Sequence, residues 1–171
     1  MIYVFYNNDP LADDQGGGAE HFRALHRALL RSGLEYRLIG TRLQSRLTHS
    51  RVDYVSKGAS FPFYFLALWL WFWRHRRDFK DTDVFHFHRN YAAWPKYLLA
   101  PRKGRVVISY HGPTGRVLQS RLGPWAWPLR QLMLVLERRA VARADRLVLV
   151  HAGDREVLAR EIAKQPFARA E

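Results

Sequence analysis

A chain of 171 residues with 48% hydrophobic and 14% aromatic content is long enough for one domain with a real core, which excludes a disordered tail. It contains no cysteine, so it has neither a disulfide scaffold nor a thiolate metal site, and it fits a reducing compartment. A formal charge of +13, carried far more by arginine than by lysine, attracts phosphate in nucleic acid, anionic lipid or sugar nucleotide without choosing among them.

The chain opens on "MIYVFY", where residues 2–6 form a short apolar run that predicts a buried strand. This opening lacks the charged start and small-residue cleavage site of a signal peptide, so a cytoplasmic protein is expected. Residues 7–18 form a polar loop that ends in three glycines. Phe22, Leu25, His26, Leu29 and Leu30 then recur at helical spacing up to Gly33, which stands where a C-cap belongs. A second strand is expected over 35–40, giving a βαβ unit.

Residues 41–60 are irregular apart from a short strand near 52–55. "DVFHFH" (83–88) predicts a strand and is followed by a short helix near 92–99. "RVVISYHG" (105–112) is another buried strand, followed by a proline-containing loop. Leu129, Leu132, Met133, Leu136, Ala140 and Val141 define an amphipathic helix over 129–143. A strand over 146–150 follows, then a helix capped by Asp154 and running to about Ala163. Alternating strands and helices predict an α/β fold, a Rossmann-like parallel sheet with helices on both faces. Ligands of such sheets sit at the carboxyl ends of the strands, so the loops after Tyr6, His88, Tyr110 and Val150 are expected on one rim.

The three glycines fall where the first strand turns into the first helix. Backbone N–H groups at a helix start have no partner within the helix, and the dipole there is positive. Without side chains, Gly16, Gly17 and Gly18 would let a phosphate approach that backbone, although a plain tight turn has the same composition. The spacing is neither G-x-G-x-x-G nor a Walker A loop.

The run "GGGAEHFRALHRALLRSGLEYRLIG" resembles the opening of family 4 glycosyltransferases, retaining enzymes of the GT-B fold. "DVFHFH", "VVISYHG" and "ERRAVARADRLVLVHAGDRE" resemble that family's later strands and helix, in the right order, although His151 stands where the family usually has Ser. The resemblance implies that residues 1–171 are the N-terminal, acceptor-side half of a GT-B enzyme. It would move a sugar from a nucleotide-sugar donor to a lipid-linked or polysaccharide acceptor without a metal or other cofactor. It places Gly16, Gly17 and Gly18 near the donor diphosphate. It makes His111 the catalytic residue, facing the cleft and contacting the transferred sugar or stabilising developing positive charge through its backbone carbonyl. The family's nucleotide-binding half, with its Glu-x7-Glu motif, is not seen in this sequence. A C-terminal domain or separate subunit is therefore an expected partner, and the chain alone is expected to be inactive.

Acceptor-side candidates are Glu20, His88, Arg89, Asn90 and Gly112, although Glu20 also suits simple capping and Arg89 and Asn90 also suit a plain loop. His86 and His88 alternate on one strand face, and with His111 they could ligate zinc. No carboxylate cluster accompanies them and the resemblance accounts for all three, so no metal is expected. Asp9, Asp13 and Asp14 could act as acids or bases but have no evident partner, and Ser109 lacks a nucleophile motif.

"FPFYFLALWLWFW" is an uncharged aromatic run, too short for the ~20 residues of a membrane span, followed by Arg74, His75, Arg76 and Arg77. At helical spacing Trp69, Trp71 and Trp73 scatter around the axis, while a helix on a sheet buries only one side. The rest of the surface needs a cover, either other parts of the protein or a membrane interface. We expect peripheral attachment to the inner, anionic membrane face through Trp69, Trp71, Trp73, Arg74, Arg76, Arg77, Trp125 and Trp127. A nucleic-acid partner is not expected, since no recognised binding motif is present; a non-catalytic basic module binding membrane or nucleic acid is the alternative reading.

Overall fold

Short runs of β-branched and aromatic residues become strands of one sheet, the central ones buried on both faces and the edge strands only partly. In the computed structural model, which describes residues 1–12, 17–42, 50–57, 61–112, 114, 123, 127–150, 153 and 155–157, these are β1 (Ile2–Phe5), β2 (Tyr36–Thr41), β3 (Val52–Ser56), β4 (Val84–Phe87), β5 (Arg105–Tyr110) and β6 (Arg146–Leu149). Between them lie α1 (Gly17–Ser32), α2 (Phe61–His75), a 3₁₀ turn (Asn90–Ala93) leading into α3 (Trp94–Leu99), and α4 (Trp127–Arg143). All six strands are parallel, in the order β3-β2-β1-β4-β5-β6. The expected Rossmann-like fold is therefore the one observed. Gly33 ends α1 at φ 68°, as its C-cap position required.

Alternation along the strands divides the core in two. Val4, Tyr6, Tyr36 and Leu38 meet Phe22 and Leu29 of α1 on one face. Tyr3, Phe5, Phe85, Phe87 and Ile108 meet α2, the 3₁₀ turn and α4 on the other. This second face is an aromatic mosaic: Phe5 stacks on Phe87 at 4.5 Å between centroids and on Phe72 at 5.2 Å, and Phe79 stands edge-on to Phe85 at 4.9 Å. Such pairs add about 0.5–1.5 kcal/mol each beyond the area they bury.

Two expectations about helix faces need correction. Trp71, expected at a membrane, is buried: its ring packs edge-on against Tyr3 and Phe5, and its Nε1 donates to Asp53 at 3.3 Å. The inward stripe of α2 runs through Tyr64, Leu68 and Phe72, and Trp71 lies on it. In α4 the inward residues are Met133, Leu134, Glu137 and Ala140, whereas Leu129 and Leu132 are exposed. Trp127, Leu129, Leu132, Leu134 and Val135 are interspersed around the axis with Arg130, Gln131, Arg138 and Arg139, so periodicity does not select a face. Bonds from Trp94 Nε1 to the Leu136 carbonyl and from the Tyr97 hydroxyl to the Ala140 carbonyl help to set its rotation.

Candidate functional site

Strand order reverses between β1 and β4, since β1 pairs with β2 on one side and β4 on the other. In open parallel sheets the crevice at the carboxyl ends beside such a reversal is where ligands bind. A cavity of about 180 Å³ lies there. Tyr6, Asn7 and Asn8 line it after β1, His88 and Arg89 after β4, His111 after β5, and Gly18 and Ala19 from the first turn of α1. The sheet register brings these together: Phe5 pairs with Phe87, and Phe87 with Ile108, so the three strands end side by side.

His88 and His111 on the cavity wall belong to a cluster of four imidazoles, with His21 and His86 packed behind them. His88 lies 5.2 Å from His86, 5.3 Å from His21 and 5.7 Å from His111, centroid to centroid. His21 also stands edge-on to His111 at 5.7 Å. Beneath them Ser109, fully buried on β5, holds two rings at once: its Oγ is 2.8 Å from His86 Nε2 and 3.1 Å from His21 Nε2. The serine hydroxyl, one donor and two acceptor lone pairs, can bridge both rings, which links their tautomers.

His88 is 1% exposed, and neither ring nitrogen has a hydrogen-bond partner among the described residues. A polar ring at the wall of a cavity takes its hydrogen bonds from whatever fills that cavity, water or a bound group. Burial pushes His86 down to about 4, reinforced by His21 and His111, and pushes His88 well below its ordinary value, reinforced by His86 and His111. Both rings are therefore neutral near pH 7 and can serve as donor and acceptor to a bound group.

The glycine turn closes the site. A methyl placed on Gly18 would lie 3.8 Å from Cε1 and Nδ1 of His111, so the start of α1 runs directly beside that ring. Glu20 sits on the exposed side of this first turn, where it complements the helix dipole, and does not line the cavity. Gly112 follows His111 at φ 85°, a left-handed turn that bends the chain away after β5. Asn90 is buried in the 3₁₀ turn, its Nδ2 without a partner among the described residues, and it does not line the cavity either. Gly16, Asp13, Asp14, Trp125, His151 and Asp154 lie outside the described residues. Asp9 is a structural turn residue: its carboxylate accepts the Leu11 N–H at 3.0 Å and the Tyr54 hydroxyl at 3.3 Å. Among the described residues no three or more His, Asp or Glu side chains are placed to share a metal ion.

The model of glycosyltransferase family 4 matches residues 15–167. The chain belongs to glycosyltransferase family 4. No curated relative matches it. The match spans every motif quoted for the resemblance, from the glycine turn to the last strand, and it makes this an N-terminal domain of that family.

Three residues around this cavity were not anticipated. His21 and Ser109 join the imidazole group only through tertiary contact between α1 and β5. Glu137, fully buried on α4, accepts the Thr114 N–H at 2.9 Å and so ties down the segment just after His111. Glu137 opens the "ERRAVARAD" stretch, where a carboxylate on an otherwise buried helix face was the available signal.

Proposed function

We propose that this domain holds the diphosphate-sugar end of a nucleotide-sugar donor, together with a lipid-linked or polysaccharide acceptor, for a retaining glycosyl transfer. The observation that carries the reading is the cavity at the strand-order reversal, where the start of α1, the ring of His88, without a partner among the described residues, and the ring of His111 face one space. Bare N–H groups at a helix start favour an anion, and α1 is long enough for its dipole to contribute. Neutral imidazoles can donate to phosphate or sugar oxygens without bringing a buried charge. Arg89 at the rim adds a cation on the same side.

In this reading the bond between the anomeric carbon and the diphosphate breaks while a bond to the acceptor oxygen forms on the same face of the sugar, and the acceptor hydroxyl's proton passes to the departing diphosphate oxygen. Positive charge develops at the anomeric carbon, and the His111 carbonyl or ring, on the cavity lining, is the group assigned to stabilise it. A nucleotide-binding half closes over the cavity from the rim and supplies the rest of the donor site.

The test joins this domain to a family nucleotide-binding half and measures transfer from a panel of nucleotide sugars to a lipid-linked acceptor. In parallel, a nucleoside diphosphate is titrated against the domain while Gly18, His88 and His111 resonances are followed. Transfer abolished by His111→Ala, with shifts confined to the cavity, is expected. Shifts elsewhere, or transfer indifferent to His111, would overturn the assignment.

A further inference from the structure

Helix α2 is apolar on all sides, yet only one side is covered. Tyr64, Leu68, Trp71 and Phe72 fill the core, while Phe63 (69% exposed), Leu66 (67%), Leu70 (47%) and Trp73 (54%) form a second stripe facing solvent. Their spacing of three, four and three residues places them along one line of the helix. A helix that is hydrophobic all round is normally buried all round. An apolar hollow of about 630 Å³ follows this stripe and reaches Leu99 of α3.

The chemistry at the stripe's end is specific. Its last turn carries Arg74, followed by Arg76 and Arg77, and the helix contains no acidic residue. These three arginines and Trp73 line a cavity of about 400 Å³. The Arg76 guanidinium stacks over the Trp73 ring at 4.9 Å and donates to the Trp73 carbonyl, so it is pre-placed rather than loose. Along the flank, Arg37, Arg42, Lys57 and Arg74 border a groove of about 750 Å³ in which Asp53, already held by Arg37, is the acidic residue. Phosphate groups beside hydrocarbon match this pattern of guanidinium beside aliphatic stripe.

We propose that the outer face of α2 is an in-plane membrane-binding surface. Phe63, Leu66, Leu70 and Trp73 enter the boundary between headgroups and acyl chains, and Arg74, Arg76 and Arg77 bind phosphates of anionic phospholipid. At about 1.5 Å per residue the helix is long enough to lie along an interface. No described helix is long and apolar enough to cross a membrane. Trp73 marks the junction between the apolar stripe and the arginines, the depth at which interfacial tryptophan sits. A second copy of this chain is a poor cover, because a chain of formal charge +13 would bring one arginine cluster against another. Trp69 is half-buried and Trp71 is inside, so the binding residues differ from those suggested by tryptophan positions alone.

This inference does not depend on the glycosyl-transfer reading, because α2 lies on the sheet face opposite α1. The test floats the intact chain with vesicles of phosphatidylcholine alone and with vesicles of phosphatidylcholine mixed with phosphatidylglycerol. Flotation with the anionic vesicles, weakened by salt, is expected. Leu66→Glu with Leu70→Glu should abolish it, and Arg74→Gln, Arg76→Gln and Arg77→Gln should each weaken it about fivefold. These positions are exposed or half-exposed, so far-ultraviolet circular dichroism should stay that of the parent. Leu30→Glu, on exposed α1 surface, should leave flotation unchanged. Equal flotation with both vesicle types, undiminished flotation of the double glutamate variant, or none at low salt would overturn the proposal. So would a dimer that the double variant dissolves without any vesicle binding.

Discussion

Gly18 and His111 lie side by side, so close that a methyl on the glycine would touch the imidazole at 3.8 Å. That distance is an ordinary van der Waals contact, so the fold tolerates the methyl. Alanine is also the better helix former, by up to about 1 kcal/mol. Gly18→Ala should therefore leave the urea midpoint unchanged or raised. The added methyl stands in the cavity, however, and should weaken nucleoside diphosphate binding several-fold in a calorimetric titration.

Acid should destabilise the domain through its buried imidazoles. His86 falls from an ordinary 6.5 to about 4 in the folded chain, and His88 shifts the same way. The unfolded chain thus binds more protons between these values. The stabilising contribution is complete above the unfolded value and is lost as pH falls from 6.5 toward 4. For His86 alone the loss is about 3 kcal/mol at 1.36 kcal/mol per unit. Urea unfolding followed at pH 7, 6 and 5 should show it, and His86→Gln should flatten the slope.

Ser109→Ala should cost about 1–3 kcal/mol, because it removes the hydroxyl that both His86 and His21 contact and leaves His86 Nε2 buried without that partner. Nitrogen-15 shifts of the two rings report the tautomers directly. A changed tautomer balance at both rings is expected for this variant, and a merely smaller side chain elsewhere in the core should not produce it.

Glu137→Ala should free the segment behind His111. The Thr114 N–H loses a charged acceptor, worth about 1.5–3 kcal/mol. Faster amide exchange at Gly112 and Thr114 should accompany the loss, while Glu137→Gln, which keeps an acceptor oxygen, should retain most of the protection.

Trp71 and Trp73 differ by two positions and should differ sharply in consequence. Trp71→Ala empties core space and removes the bond to Asp53, a loss of about 3–5 kcal/mol. Trp73 is exposed, so Trp73→Ala should change thermal stability by no more than about 0.5 kcal/mol.

The strands, the glycine-capped first helix and the rim that carries the loops after β1, β4 and β5 were all legible in the sequence. Each is written in local chemistry: apolar runs, helical spacing, and glycine where φ turns positive. His88, His111 and the glycine turn could be placed on one rim for the same reason. The outward faces of α2 and α4 could not be read, because periodicity selects a face only when apolar and polar residues segregate; α2 is apolar nearly all round, and α4 intersperses apolar residues with Arg130, Gln131, Arg138 and Arg139 around its axis. Tertiary packing made the choice, through Trp71 on Tyr3 and Phe5 and through the bonds from Trp94 and Tyr97 to α4. The imidazole group was likewise invisible as a unit. His21, His86, His88 and His111 come from three separate segments, and only the parallel register and the seat of α1 on the sheet bring them to one wall, with Ser109 between two of them.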